Sequence, residues 1–134
     1  MHCDWQGQAQ RDSGIRREVK NMVTRREAIR KDNVQGGDGY ILMMPILTQE
    51  ELMGHGKLYN HVIIPPHCGI GWHIHTGNTE PYYVIKGHGV FTDKDGEHPV
   101  TAGDICTIPC GEGHAMRNDS EEDMEMIALI INEG

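Results

Sequence analysis

The sequence predicts an all-β protein folded as an antiparallel sandwich or barrel. Short apolar runs recur between residues 40 and 131, and clusters of glycine, proline, asparagine and aspartate separate them. Glycine is abundant, at 17 of 134 residues, whereas aromatic residues make up only 5%. Such a composition favours many short strands and tight turns over long helices. The length fits one domain, and no internal repeat indicates a second barrel.

The apolar runs predict eight strands in chain order. They cover residues 40–47, 57–64, 70–75, 82–86, 89–92, 105–108, 115–118 and 124–131. The dipeptide Asp95-Gly96, between two of these runs, is a hairpin signal. Residues 48–52 predict one short helical turn capped by Thr48.

The N-terminal segment, residues 1–35, is predicted to be an extension of a β-barrel domain that covers residues 36–134. Scattered apolar residues between 15 and 30 indicate helix, so we expect the extension to be partly helical or disordered. Residues 1–31 hold eight basic and four acidic residues, a net charge of +4, which leaves −12 for the rest out of a total of −8. This basic segment fits a solvated terminus better than a nucleic-acid-binding arm, because Trp5 is its only aromatic residue.

Charge, hydropathy and cysteine usage exclude several classes of function. The acidic balance argues against a nucleic-acid partner. No apolar stretch approaches the ~20 residues that span a bilayer. The basic N-terminal residues are not followed by the apolar region of a signal peptide. The four cysteines form no C-x-x-C pair, so we expect reduced thiols and a cytoplasmic location.

The strongest candidates for a functional site are three histidines and one glutamate. Because side chains alternate along a strand, His73 and His75 point to the same side, ~7 Å apart, where they can share a metal ion. Glu80 follows across a turn, and His114 follows the turn at residues 109–113. The set lacks the thiolates of a closed structural zinc site. It suits one Mn, Fe, Ni, Co or Zn ion with positions left for water or a substrate.

The spacing of these residues matches a known pattern. Four residues separate His75 from Glu80, and six more separate Glu80 from Gly87. This arrangement resembles the first motif of the cupin family, which reads His-x-His, three or four residues, Glu, six residues, Gly. The family's motif usually opens with a glycine six positions before the first histidine, where this chain has His67.

A second pattern begins 15 residues after the first one ends. The second cupin motif reads Gly, five residues, Pro-x-Gly, two residues, His, three residues, Asn. The chain resembles it at every position: Gly103, Pro109, Gly111, His114 and Asn118. Two motifs in the right order make this resemblance more specific than a lone His-x-His pair. It covers about residues 57–131.

The resemblance implies a fold and a ligand set. The fold is a double-stranded β-helix, a small jelly-roll barrel with the metal inside. The implied metal ligands are His73, His75, Glu80 and His114. The resemblance also implies a homodimer, in which the strand at residues 40–47 pairs with the partner's sheet.

Two functions remain open at this point. The first is a metal-dependent enzyme that acts on a small organic molecule by dioxygenase, decarboxylase, isomerase or lyase chemistry, with oxidoreductase as the favoured class. Tyr82, which shares the strand parity of Glu80, is the candidate general base. The second is a non-enzymatic module that binds or senses a small ligand through its metal. Strand parity places no Arg or Lys beside the metal, which disfavours a sugar phosphate.

Other chemically versatile residues have simpler roles in this interpretation. Cys106 is expected in the core, with a position beside the pocket as the alternative. The remaining histidines of the barrel domain match no ligand position and are expected at the surface or rim. The residues so interpreted are His61, His67, His88 and His98.

Overall fold

The structure is a computed structural model that describes residues 22–134. Eleven antiparallel strands and one short 3-10 turn, Val34–Gly36, make up the described chain. The strands are β1 (Ile29–Asp32), β2 (Tyr40–Leu47), β3 (Gly56–Ile64), β4 (Gly69–Ile74), β5 (Asn78–Thr79), β6 (Tyr82–Lys86), β7 (His88–Asp93), β8 (Gly96–Thr101), β9 (Ile105–Cys106), β10 (Gly113–Arg117) and β11 (Met124–Asn132). No helix within residues 22–134 is long and apolar enough to cross a membrane.

The strands form two sheets around one core. The larger sheet has the order β1-β2-β3-β11-β6-β9, with β5 also paired to β11, and the smaller has the order β4-β10-β7-β8. Inward side chains of both sheets form one buried cluster, which includes Ile41, Ile64, Val84, Phe91 and Met116. The alternation of buried and less buried residues along β3 and β11 follows the period of two that a one-sided sheet requires.

The all-β prediction and the double-stranded β-helix are confirmed. All eight predicted strands are present, although the run at residues 105–108 is a strand only at Ile105–Cys106 and the run at 70–75 ends at Ile74. The strands β1, β5 and β8 were not predicted. Both β1 and β8 lie at sheet edges and are mostly exposed, so they carry no apolar alternation to detect.

Two local predictions are also confirmed. Asp93 pairs with Gly96 across the β7–β8 hairpin, which makes the turn two residues long. Residues 48–52 form the capped turn, in which the Leu52 N–H donates to the Thr48 carbonyl at 3.0 Å. The Thr48 hydroxyl accepts from the Glu51 N–H at 3.2 Å, and the Glu51 carboxylate accepts from the Thr48 N–H at 2.9 Å. These reciprocal bonds form a capping box.

The helical prediction for the N-terminal segment is wrong over residues 22–30. Residues 22–28 have no regular secondary structure, and β1 starts at Ile29. Pairing of β1 with β2 satisfies the backbone there, and such pairing outweighs a weak helical pattern. The rest of the predicted helix, residues 15–21, lies outside the described residues. The domain boundary at residue 36 stays a prediction.

The strand expected to pair with a dimer partner has little free edge. In β2, β1 covers residues 40–43 on one side, while β3 pairs with the other side. On the side of β2 that faces β1, only residues 44–47 remain unpaired within the described chain. The expected pairing with a partner's sheet stays a prediction, and β1 is the edge strand of the larger sheet.

Asn118, the last residue of the second motif, holds the loop after β10. Its side chain is fully buried, and its amide group donates to the carbonyls of Ile64 at 2.8 Å and Glu122 at 2.7 Å. Its carbonyl oxygen accepts from the Ser120 N–H at 2.9 Å and from the Ser120 hydroxyl at 2.7 Å. Every polar atom of this side chain is therefore satisfied inside the protein.

We expect Asn118→Ala to lower the free energy of unfolding by about 2–4 kcal/mol, because it leaves buried carbonyl groups without a donor. Urea denaturation measures this change. Asn132→Ala is the control, since Asn132 makes one exposed hydrogen bond to Gly54, and its loss costs about 0.5 kcal/mol or less. Equal losses in the two variants would contradict the structural role of Asn118.

Candidate metal centre

The two motifs meet where β4 lies beside β10. His73 lies in β4 directly opposite His114 in β10, and a β-bulge follows His114. His75 comes immediately after β4, and Glu80 lies between β5 and β6. The structure brings all four predicted ligand residues together, with one potential ligand atom from each lying within 4.8 Å of the others.

The donor atoms converge on one point. His114 Nε2 lies 3.1 Å from both His73 Nε2 and His75 Nε2. One carboxylate oxygen of Glu80 lies 2.9 Å from His75 Nε2, 3.0 Å from His114 Nε2 and 3.5 Å from His73 Nε2. Glu80, His75 and His114 are buried, and His73 is half-buried.

Hydrogen bonds on the far side of two rings orient their nitrogens. His73 Nδ1 lies 2.8 Å from the Gly71 carbonyl, which can only accept, so this nitrogen carries the proton. His75 Nδ1 lies 2.6 Å from Asn78 Oδ1 and is assigned as a donor for the same reason. Both rings therefore direct an Nε2 lone pair into the cluster, as histidine metal ligands do. His114 Nδ1 is buried and has no hydrogen-bond partner within the described residues.

This donor set fits one metal ion. Lone pairs of imidazoles and a carboxylate facing each other at about 3 Å repel unless a proton or a metal ion lies between them. Donor atoms ~2.1 Å from a metal lie about 3.0 Å apart at right angles, but about 3.4 Å apart in a tetrahedron. Four of the five separations, at 2.9–3.1 Å, match the right-angle spacing. Octahedral coordination by four protein ligands leaves two of six positions free.

The charges of the cluster support one another. Burial opposes ionisation of Glu80, but its contacts with His114 and His73 outweigh burial and lower its pKa to about 2. Burial also lowers the pKa of His73, yet the Glu80 contact and the Gly71 carbonyl raise it overall. For His114, burial dominates and lowers the pKa, which keeps this imidazole neutral. An ionised carboxylate among imidazoles is the charge state that metal binding requires.

Tyr82 lies inside the barrel, as strand parity predicts. Its ring stacks on His114 with centroids 4.9 Å apart and planes at 12°, and the residue is 1% exposed. Burial and the negative charge of Glu80 raise the pKa of its phenol well above the usual value. The neighbouring Tyr83 and Ile85 face outward, also as predicted. The catalytic role of Tyr82 stays a prediction.

A cavity of about 130 Å³ adjoins the cluster and includes His73, His75, Glu80 and Tyr82 in its lining. Aliphatic side chains form much of the remaining wall, including Val34, Ile41, Leu58, Val62, Ile70 and Ile130. None of the lining residues in the described chain is Arg or Lys, as the sequence predicts.

Two further polar side chains, Asn60 and Gln35, line the cavity. Sequence reasoning missed both. Asn60 points to the inner face of β3, as Val62 does. An amide that alternates in phase with buried aliphatic residues is the feature of the sequence that could have identified Asn60.

The 3-10 turn closes part of this cavity. Gln35 has a left-handed backbone, with φ of 53°, and lines the cavity together with Val34. The turn lies so close to β4 that a Cβ at Gly71 would collide with the Gln35 carbonyl. Only glycine at this position permits such an approach. Gly71 therefore has two roles at the site. Its lack of a side chain admits the 3-10 turn, and its carbonyl orients His73.

The remaining candidates lie away from the cluster. Cys106 is buried in the core rather than lining the cavity, and burial, with the charge of Asp104, raises its pKa to about 11. His61, His67 and His98 each pair with a carboxylate outside the cluster: Glu125 at 2.8 Å, Glu121 at 2.7 Å and Asp93 at 2.9 Å, respectively. Neither His55 nor His88 belongs to the cluster, and both are exposed.

Comparison with known proteins agrees with this geometry. A family model described as the cupin domain matches residues 60–130, which is more than half of the chain. The chain belongs to the cupin family. The three histidines and the glutamate of this cupin lie within the matched range, in two segments around β4 and β10.

This cupin is similar to a named protein and to several solved structures. It is 36% identical over 118 residues to an oxalate-binding protein of Thermotoga maritima, covering 86% of this chain and 98% of that protein. The crystal structure of a predicted oxalate decarboxylase from the same organism has a TM-score of 0.79 and 35% identity, and covers 83% of this chain and 99% of that one. A Photorhabdus luminescens protein, with 19% identity, a TM-score of 0.67 and coverage of 84% and 89%, shares the fold.

We expect the purified protein, prepared without chelators, to carry about one Mn, Fe, Ni, Co or Zn ion per chain. The double variant His73→Ala/His75→Ala removes two of four donors and is expected to lose at least about 90% of the metal. Elemental mass spectrometry measures both. The matched control, His61→Ala/His98→Ala, removes two histidines outside the cluster and should keep the metal. Equal metal content in the two double variants would refute the ligand assignment.

Proposed function

We propose that this cupin binds one divalent transition metal through His73, His75, Glu80 and His114 and thereby holds a small oxygen-bearing acid. When bound, the metal supplies positive charge and free coordination positions for oxygen atoms of that acid. The observation that carries the proposal is the convergence of four donor atoms beside a small, largely aliphatic cavity.

The size of the cavity favours a ligand of few atoms. Its volume of about 130 Å³ lies below the ~300–1,000 Å³ of pockets that hold drug-sized molecules. Aliphatic walls exclude water around the ligand but offer few hydrogen bonds to a larger polar molecule. A two-carbon or three-carbon acid fits these limits.

The charge of the site favours a carboxylate over a phosphate ester. Neutral imidazoles and one carboxylate around a divalent ion leave a net charge of about +1. That charge attracts a small organic anion. Phosphate recognition usually adds Arg or Lys, and none lines the cavity within residues 22–134. The relative named as an oxalate-binding protein supports oxalate as the first ligand to test.

Decarboxylation of the bound acid is the second candidate function. The observation that favours it is Tyr82, the one side-chain hydroxyl lining the cavity in the described chain. Cleavage of the C–C bond of hydrogen oxalate releases CO₂, and the carbon left behind must gain a proton to give formate. The lining position of Tyr82, and the stacking of its ring on His114, support Tyr82 as the group that exchanges this proton. The name of the 35% identical structure, a predicted oxalate decarboxylase, supports this candidate.

We also propose a homodimer in the cytoplasm. The side chains of Tyr83, Ile85 and Ile105 are exposed together on the outer face of the larger sheet, where Tyr83 pairs with Ile105, and this apolar patch supports self-association. The cysteines Cys68, Cys106 and Cys110 are free, which supports a reducing compartment.

Calorimetric titration of oxalate into the metal-loaded protein tests the proposed function. We expect saturable binding of one oxalate per chain. Acetate has one carboxylate group where oxalate has two, so it should bind at least about 10-fold more weakly. The variant His73→Ala/His75→Ala should show no binding, and His61→Ala/His98→Ala should bind normally.

Product analysis of the same mixtures separates the two candidates. Binding without formate or CO₂ supports the binding module, whereas their release in equal amounts supports the decarboxylase. Oxygen consumption in these mixtures would instead support the oxidoreductase class that the sequence favours. If the metal-loaded protein binds no oxalate, both candidate functions, oxalate binding and oxalate decarboxylation, are contradicted.

A further inference from the structure

Asn60 is a buried polar residue that neither the motifs nor the metal ligand set explains. It lies in the middle of β3, is 4% exposed, and alternates in phase with the inward residues Val62 and Ile64. It lines the same cavity as His73, His75 and Glu80. The wall around it is mostly aliphatic.

The side chain of Asn60 is poorly satisfied within the protein. Its amide nitrogen contacts only Met43 Sδ, at 3.8 Å, and thioether sulfur is a weak acceptor. No hydrogen bond to its carbonyl oxygen is found within residues 22–134. The other two buried asparagines differ, because Asn78 bonds to His75 and Asn118 is fully hydrogen-bonded. Burying an amide without strong partners is unfavourable for folding.

The neighbouring strands leave this amide open toward the cavity. Asn60 pairs with Ala128 on β11 and with Pro45 on β2. Ala128 carries only a methyl group and lines the cavity as well. A small residue at this position leaves room for a ligand atom beside the amide. The amide therefore keeps hydrogen-bonding capacity, facing the cavity, that a ligand can use.

We propose that Asn60 is a specificity-determining residue that donates a hydrogen bond to an oxygen at the far end of the bound acid. This assignment rests on the proposed function, because the metal centre is what holds the near end. It selects acids with acceptor atoms at both ends, such as small dicarboxylates, over acids with an alkyl tail. Such selection is strong, since an alkyl tail would leave the buried amide unpaired.

The test uses two variants of the metal-loaded full-length chain, Asn60→Leu and Asn60→Ala. Both remove the amide, but the first keeps the branched shape of the side chain and the second enlarges the cavity. Tyr59→Phe is the matched control, because it removes a hydroxyl from the adjacent residue, which alternates to the outer face of β3. The readouts are metal content, thermal midpoint without ligand, and calorimetric affinities for oxalate and acetate.

We expect both variants to keep about one metal per chain and bind oxalate at least about 10-fold more weakly than the unmodified chain. Their preference for oxalate over acetate should fall by a similar factor. The thermal midpoint of Asn60→Leu should be unchanged or higher, because no strong hydrogen bond is lost. Tyr59→Phe should match the unmodified chain in metal content and in both affinities.

Three results would overturn the assignment. If the unmodified chain binds oxalate and both variants bind it equally well, Asn60 makes no hydrogen bond that contributes to oxalate affinity, while the proposed function stands. If both variants lose metal or melt at clearly lower temperature than Tyr59→Phe, Asn60 is structural. If the metal-loaded unmodified chain binds no oxalate, the proposed ligand fails and the role of Asn60 fails with it.

Discussion

The arrangement of this protein depends on four acceptor atoms facing one another in a buried space. Imidazole nitrogens of His73, His75 and His114 and an oxygen of Glu80 lie about 3 Å apart, where their lone pairs repel unless a proton or a metal ion lies between them. The fold holds them there by pairing β4 with β10 and by anchoring two rings from behind. A bound cation converts this repulsion into stability, so metal binding and folding are linked.

The surrounding structure determines the size and polarity of the space beside that cluster. One sheet supplies the two histidines of β4 and β10, and the other supplies much of the aliphatic wall. The 3-10 turn forms part of the cavity wall, because Gly71 permits its close approach to β4. Inside such a small, largely apolar space, the few polar groups decide what is bound. Tyr82 and Asn60 are the two whose positions matter most for the chemistry proposed here.

The sequence predicts the clustering of the three histidines and Glu80 because their spacing reflects local geometry. His-x-His on a strand requires only the period of two, and the second motif matches at every position. It does not predict a role for Asn60. That role is inferred from the cavity that Asn60 lines and from the weak hydrogen bond to Met43, and the sequence shows neither. It also misses β1 and β8, whose formation depends on pairing with a neighbouring strand rather than on their own apolar pattern.

The central claim is that the four side chains together form a metal centre with free positions. X-ray absorption spectroscopy of the metal-loaded protein, before and after addition of oxalate, tests it most directly. We predict about six nitrogen or oxygen neighbours at ~2.0–2.2 Å, imidazole scattering from about three rings, and a change in the nearest shell on adding oxalate. A sulfur neighbour at ~2.3 Å, or a four-coordinate shell that oxalate leaves unchanged, would contradict it.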